Sequence, residues 1–289
     1  MSVWAAYLTV LLVWSTTPLA ISWSSESLGP MAALSLRLLV SILIASVVRI
    51  LSKSPALRFR KHWKAYASGA IGLFPCMALV YWSASYLPSS LISVLFGLAP
   101  FAVVLLNIAI SSSAGISFGQ LLGMTLAFLG LLGVMAPSGD VGAVSVFGAV
   151  LILIAVMVYA MSTLLVKRYA LRIHVPNQLL GTLLFAMPFF MAAWAIEGVQ
   201  LSEDIPAKAI YATLYLGAMG SVVGFLAYFY LLKRISVAAV SLITMVTPAI
   251  AVVLGVWLNA EVLSLYVYLG IACILTGLWV FRYFEANPT

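Results

Sequence analysis

The sequence predicts an all-α integral membrane protein, with ten transmembrane helices forming two inverted five-helix repeats around a central cavity. Three observations predict it. The 289 residues are 65% hydrophobic and only 7% charged, with a mean hydropathy of +1.19, whereas a soluble domain carries about a quarter charged residues. The apolar residues fall into ten runs, each near the roughly 20 residues that a helix needs to cross a bilayer core. The second half echoes the first, as shown by Pro248 following Pro100 in matched surroundings.

So much apolar surface cannot be hidden in a water-soluble body of this size. A soluble enzyme and a disordered chain are excluded. Nucleic-acid binding is disfavoured despite the net charge of +7 and a pI near 9.5. Cys76 and Cys273 both lie in apolar runs, so neither a disulfide framework nor a thiolate metal cluster is expected.

The first five runs are Trp4–Ile21, Met31–Leu51, Ala65–Leu87, Ser89–Ile110 and Phe118–Ala136. The second five are Val144–Val166, Gln178–Ile196, Ala207–Leu232, Val237–Leu258 and Leu263–Phe281. They lack the alternation of barrel strands, so the backbone must satisfy itself as helices. Nothing basic precedes the first run and no small-residue cleavage site follows it, so a retained helix is expected rather than a signal peptide. With the amino terminus inside, the cytoplasmic loops collect twelve of the fourteen Lys and Arg, Lys208 alone falls outside, and Arg37 lies within a span. That asymmetry places both termini in the cytoplasm of a multi-pass inner-membrane protein. The basic Arg58–Lys64 cluster is first a topology signal, with anionic lipid as an alternative partner.

The repeat reads Leu87–Leu95 against Ile235–Ile243, and continues to Pro100 against Pro248. A second echo pairs Leu122-Gly123 and Gly130 with Leu269-Gly270 and Gly277. The expected units are residues 1–137 and 138–289. Five helices per unit is an odd number, so the second unit enters the membrane inverted. This is the architecture of alternating-access carriers that hold substrate near the midplane. Pro100 and Pro248 are expected mid-helix, where a missing N–H loosens the backbone, as gating or hinge positions.

Intramembrane charges are costly and usually functional. Arg37 lies six residues below Met31, about 9 Å down a helix, where it either pairs with a substrate carboxylate or snorkels to the surface. Trp14, Tyr81, Trp82, Tyr159 and Tyr228 offer flat apolar faces with polar tips, and Asn107, Ser241 and Thr244 offer hydrogen bonds; helix packing is the rival reading for each. No Asp, Glu or His lies deep in any span. A buried-carboxylate proton relay is therefore expected to be missing, and neither cofactor nor metal is expected. The partners expected are a small-molecule substrate and the lipid bilayer, with the protein a monomer or weak homodimer.

The chain also resembles the EamA-type proteins of the drug/metabolite transporter superfamily. The residues that carry the resemblance are Ala78–Ser85, Leu91-Ile92-Ser93 and Ala99-Pro100, then Ala227–Arg234, Thr247-Pro248, Asn259-Ala260-Glu261 and Leu269-Gly270, with Trp14-Ser15 and Arg37 in the first two helices. It departs from that pattern at Thr247, where relatives often carry Glu before the proline. It departs again in the loop Ser111–Ser117, which lacks the acid that Glu261 supplies in the second half. The resemblance implies a ten-helix bundle that exports small metabolites, with amino acids, aromatic ones among them, a prominent class.

The function expected is therefore a secondary carrier of neutral or zwitterionic metabolites, most of all amino acids. Alternatives are a carrier of nucleosides, sugars or anions, a multidrug efflux carrier, and a scaffold or lipid scramblase. An intramembrane enzyme would need paired acids, a metal constellation or a Ser–His dyad at depth, and none is present.

Overall fold

The computed structural model describes residues 2–111, 117–135, 144–198, 204–241 and 243–286. Every regular element among them is helical. The first repeat holds α1 (Val3–Leu28), α2 (Pro30–Leu51), α3 (Phe59–Ile71), α4 (Cys76–Ser83), α5 (Ser89–Phe96), α6 (Ala99–Ser111) and α7 (Phe118–Met135). The second holds α8 (Val146–Tyr169), α9 (Val175–Glu197), α10 (Ala207–Tyr215), a π-helical segment (Leu216–Val223), α11 (Gly224–Arg234), α12 (Val237–Ser241), α13 (Ile243–Asn259) and α14 (Leu265–Ala286). Several spans are broken into two pieces. Counted as membrane crossings they make eight long apolar paths, completed by two shorter helices, Phe118–Val134 and Val246–Asn259.

Local chemistry explains the joints. Ser2 caps α1 by accepting the Ala5 N–H at 3.1 Å. Gly29, at φ 78°, supplies the left-handed residue that lets Pro30 open α2 at once. The third span begins at Phe59 and not at Ala65, because the basic stretch continues the helix toward water.

Pro100 requires a correction. It is not mid-helix: the chain breaks after Phe96, and Pro100 sits in the first turn of α6, where its missing N–H removes no helical bond. Pro248 does lie inside α13. The end of the fifth expected span, Ala136, and the side chain of Ser241 lie outside the described residues.

The helices enclose two cores. The larger joins α1, α2, α4, α8, α9 and α11, and the smaller sets Ala127, Ile274 and Phe281 of α7 and α14 against Leu91 and Phe101 of α5 and α6. The α7–α14 pair comes from opposite repeats, and their backbones touch. A Cβ added to Gly130 would stand 2.6 Å from the Gly270 carbonyl oxygen, and one added to Gly270 would stand 2.6 Å from that of Gly130. The Gly/Gly echo in the sequence is thus where the two repeats meet, with no side chain between. The outer faces carry exposed Leu43, Phe128, Val253 and Trp257, as lipid contact requires.

α1 starts and α14 finishes at one end of the bundle, where Arg282 acts electrostatically on Tyr7. That end is the tail end, and the opposite one the distal end.

Candidate functional site

A cavity lies where α1, α2, α4, α5, α8, α11 and α13 converge. Its wall is one cation, a ring of aromatics and a few hydroxyls. The cation is Arg37 on α2, only 3% exposed. Its Nε donates to Ser221 Oγ at 2.8 Å and its Nη1 donates to the Tyr81 hydroxyl at 3.3 Å. Both acceptors are neutral. A guanidinium has five N–H donors, so three remain for something else. Among the described residues no acid pairs with it.

The π-helical segment creates this arrangement. One extra residue per turn turns Ser221 toward α2, and the glycines on either side let α2 approach. A Cβ on Gly217 would fall 2.6 Å from Val40 Cγ1, and one on Gly220 would fall 3.4 Å from Arg37 Nη2. Ser41 adds a second tie by donating to the Gly217 carbonyl oxygen at 3.2 Å. Such bulges gather at functional sites.

The aromatic part of the wall is Trp14, Phe96, Tyr159 and Phe225. Trp14 stands edge-on to Tyr159 at 6.2 Å and to Phe225 at 6.1 Å, and Phe96 meets Tyr159 at 5.2 Å. Thr17, Ser93, Thr244 and Thr247 supply hydroxyls. The helices of opposite repeats cross at this level because Gly97 has no side chain; a Cβ there would lie 3.0 Å from Pro248 Cγ. The cavity volume is about 80 Å³, enough to admit water. The bundle is contracted around its centre.

Above the cavity, at the distal end, lies a polar vestibule of about 600 Å³ walled by Ser22, Ser25, Glu26, Ser85 and Asn259. Its edge is a clasp between repeats. Glu261 Oε1 accepts from the Ser89 N–H at 2.8 Å and its hydroxyl at 2.5 Å, and Oε2 accepts from the Ser90 N–H at 3.1 Å and its hydroxyl at 2.5 Å. A carboxylate of the second repeat thus caps the first turn of α5. Burial alone pushes this carboxyl up, but the Ser89 and Ser90 donors outweigh it and hold the group below the ordinary glutamate range. Asn259 donates to Glu261 and accepts from Trp23 Nε1 at 2.8 Å.

Toward the tail end the aromatics continue as a plug. Tyr228 packs on Trp14 at 5.2 Å and on Phe229 at 5.5 Å, and its hydroxyl shares a 2.8 Å hydrogen bond with Thr163. Beneath it Lys167 donates to the carbonyls of Leu232 and Ile235, and Lys233 to that of Ile173.

The structure sorts the residues singled out in the sequence. Trp14, Arg37, Tyr159 and Thr244 form the cavity wall. Tyr81 and Tyr228 stand one layer behind it, the first positioning Arg37 and the second backing Trp14. Trp82 and Asn107 do not belong to it. Trp82 is 39% exposed and donates to Glu197 Oε1 at 3.3 Å near the distal end, and Asn107 is exposed on α6. Trp82 follows Tyr81 directly and so lies on another helical face, and hydropathy does not say which face turns inward. Sequence reasoning missed Ser221, Phe96 and Phe225. The dense glycines around Ser221, Gly217, Gly220 and Gly224, are the available signal.

A model described as the EamA-like transporter family matches residues 2–136 and 146–283. An uncharacterized transporter of Archaeoglobus fulgidus is 25% identical over 285 residues, which cover 97% of this chain and 98% of that one. A probable terminal-alkyne amino-acid exporter of Streptantibioticus cattleyicolor is 29% identical over 267 residues, or 89% and 86% of the two chains. One crystal structure aligns at a TM-score of 0.74 over 99% of both chains with 16% identity, a likeness of fold alone.

Proposed function

The chain belongs to the EamA-like transporter family, and from that premise we propose that it is an alternating-access carrier that exports amino acids, aromatic ones foremost. The observation that carries this reading is the pairing of one buried arginine with an aromatic wall. Arg37 offers a planar fork of donors that matches a carboxylate. Trp14, Phe96, Tyr159 and Phe225 offer apolar area to a ring. The printed name of the Streptantibioticus cattleyicolor relative, an amino-acid exporter, supports the same class.

The contracted cavity is the state between loads in this reading. Substrate reaches the wall when the plug of Tyr228 and Phe229 withdraws at the tail end, and leaves through the vestibule. The tail end faces the cytoplasm, in keeping with its twelve basic residues. Flow follows the substrate gradient or exchange, because the spans carry no acid or histidine at depth to relay protons.

The test is counterflow of labelled phenylalanine into proteoliposomes. Uptake is expected without an imposed pH gradient, and Arg37→Ala is expected to lower it at least about tenfold, since a hydrogen bond to a charged group contributes about 1.5–3 kcal/mol. Arg37→Lys keeps the charge but loses the fork, and is expected to fall between. Uptake that depends on a pH gradient refutes the coupling, and uptake indifferent to Arg37 refutes the site.

A further inference from the structure

Charge accounting in the cavity leads beyond amino acids. Among the described residues the only formal charge on its wall is Arg37, whose two hydrogen-bond partners, Ser221 and Tyr81, are neutral. Glu26 and Glu261 line the vestibule and not the cavity, and the four donors on Ser89 and Ser90 already occupy Glu261. An α-amino acid carries its ammonium on the carbon next to its carboxylate. Once the carboxylate is seated on Arg37, the ammonium lies beside the guanidinium among hydroxyls, aromatic rings and aliphatic side chains, with no carboxylate among the described wall residues to meet it. The filled cavity then keeps a net charge of +1. Taking an unmatched charge out of water is costly.

A monocarboxylate without the amino group removes that cost. Its single charge neutralises Arg37, and its remaining surface is apolar, as the wall is. Nothing on the wall forms an ion pair that depends on the ammonium.

We propose that the cavity also takes aryl monocarboxylates that lack the amino group, and binds them at least as tightly as the matching amino acids. This rests on the reading of the Arg37 cavity as the substrate site. It makes the carboxylate the obligatory group and the ammonium dispensable. Amines without a carboxylate are excluded, since they would place a second cation beside Arg37.

The test is direct binding to purified protein in detergent at pH 7. Labelled L-phenylalanine and labelled 3-phenylpropionate are each titrated, and each is competed with phenethylamine. The expected result is a Kd for 3-phenylpropionate equal to or below that for phenylalanine, with phenethylamine at least tenfold weaker than both. Both acids are expected to lose at least tenfold in Arg37→Gln, whose folding is checked by its unaltered thermal midpoint. The comparison of ligands on the wild-type protein decides the matter even where that variant fails to fold. Phenylalanine binding tenfold tighter than 3-phenylpropionate overturns this inference and leaves the amino-acid reading standing. Binding of 3-phenylpropionate without phenylalanine upholds the inference and overturns the amino-acid reading. Binding of neither overturns both.

Discussion

The first turn of α5 and the first turn of α12 occupy the same place in the two repeats, one at the distal end and one at the tail end, yet they are held differently. At α5 the Glu261 carboxylate arrives from the other repeat and satisfies two N–H groups and two hydroxyls. At α12 the neighbouring Ser236 accepts the Ala239 N–H at 3.1 Å, a bond within one repeat. The acid has no counterpart, because Ser113 stands where the repeat would place it. Two helices of equal ancestry thus differ in whether the opposite half of the protein is bonded to their start. The start of α5 is fastened by a charge from the other repeat, and the start of α12 is capped by a neutral hydroxyl of its own. Elsewhere toward the tail end the repeats are joined by other bonds, Arg49 donating to Asn177 at 2.9 Å and Gln178 to the Ala65 carbonyl at 2.7 Å.

The comparison can be broken at several points. The largest effect is expected from Glu261→Ala, which strands four donors at once. A loss of about 2 kcal/mol is expected, read as a lowered thermal midpoint in detergent, with Glu261→Gln losing less. Next comes acidification. The Glu261 carboxyl is held below its ordinary range, so its stabilisation is fully present above that range and is lost as pH falls through it. A wild-type midpoint that drops below about pH 4.3 faster than that of Glu261→Gln confirms the clasp, and parallel profiles refute it. Ser236→Ala is expected to cost about 1 kcal/mol or less, and a larger loss than Glu261→Ala would invert the contrast. The smallest effect belongs to Asn107→Ala, exposed on α6. It should leave stability within about 0.5 kcal/mol and counterflow unaltered.

Much of this architecture was legible before any coordinates. Ten apolar runs become ten crossings, because a lipid solvent leaves the backbone few alternatives, and the glycines of the second echo become contacts, Gly130 on Gly270 and Gly123 on Gly277. Arg37 stood out for the same reason, as a charge where charge is expensive. What hydropathy could not show is facing. In lipid both sides of a helix are apolar, so Trp82 and Tyr81, one residue apart, read alike although one points away from the centre and the other braces Arg37. The break before Pro100 was hidden because its run stays apolar across the gap. The π-helical turn that offers Ser221 to Arg37 leaves no periodic trace in eight residues of Gly, Ala, Val and their like.

The bare contact between α7 and α14 has a mechanical consequence. At Gly130 and Gly270 the two backbones touch directly, so the separation of the repeats at this seam is set by the main chain and leaves no room for a side chain. Bulk added there, as in Gly270→Val, is expected to push α7 and α14 apart and to lower the thermal midpoint.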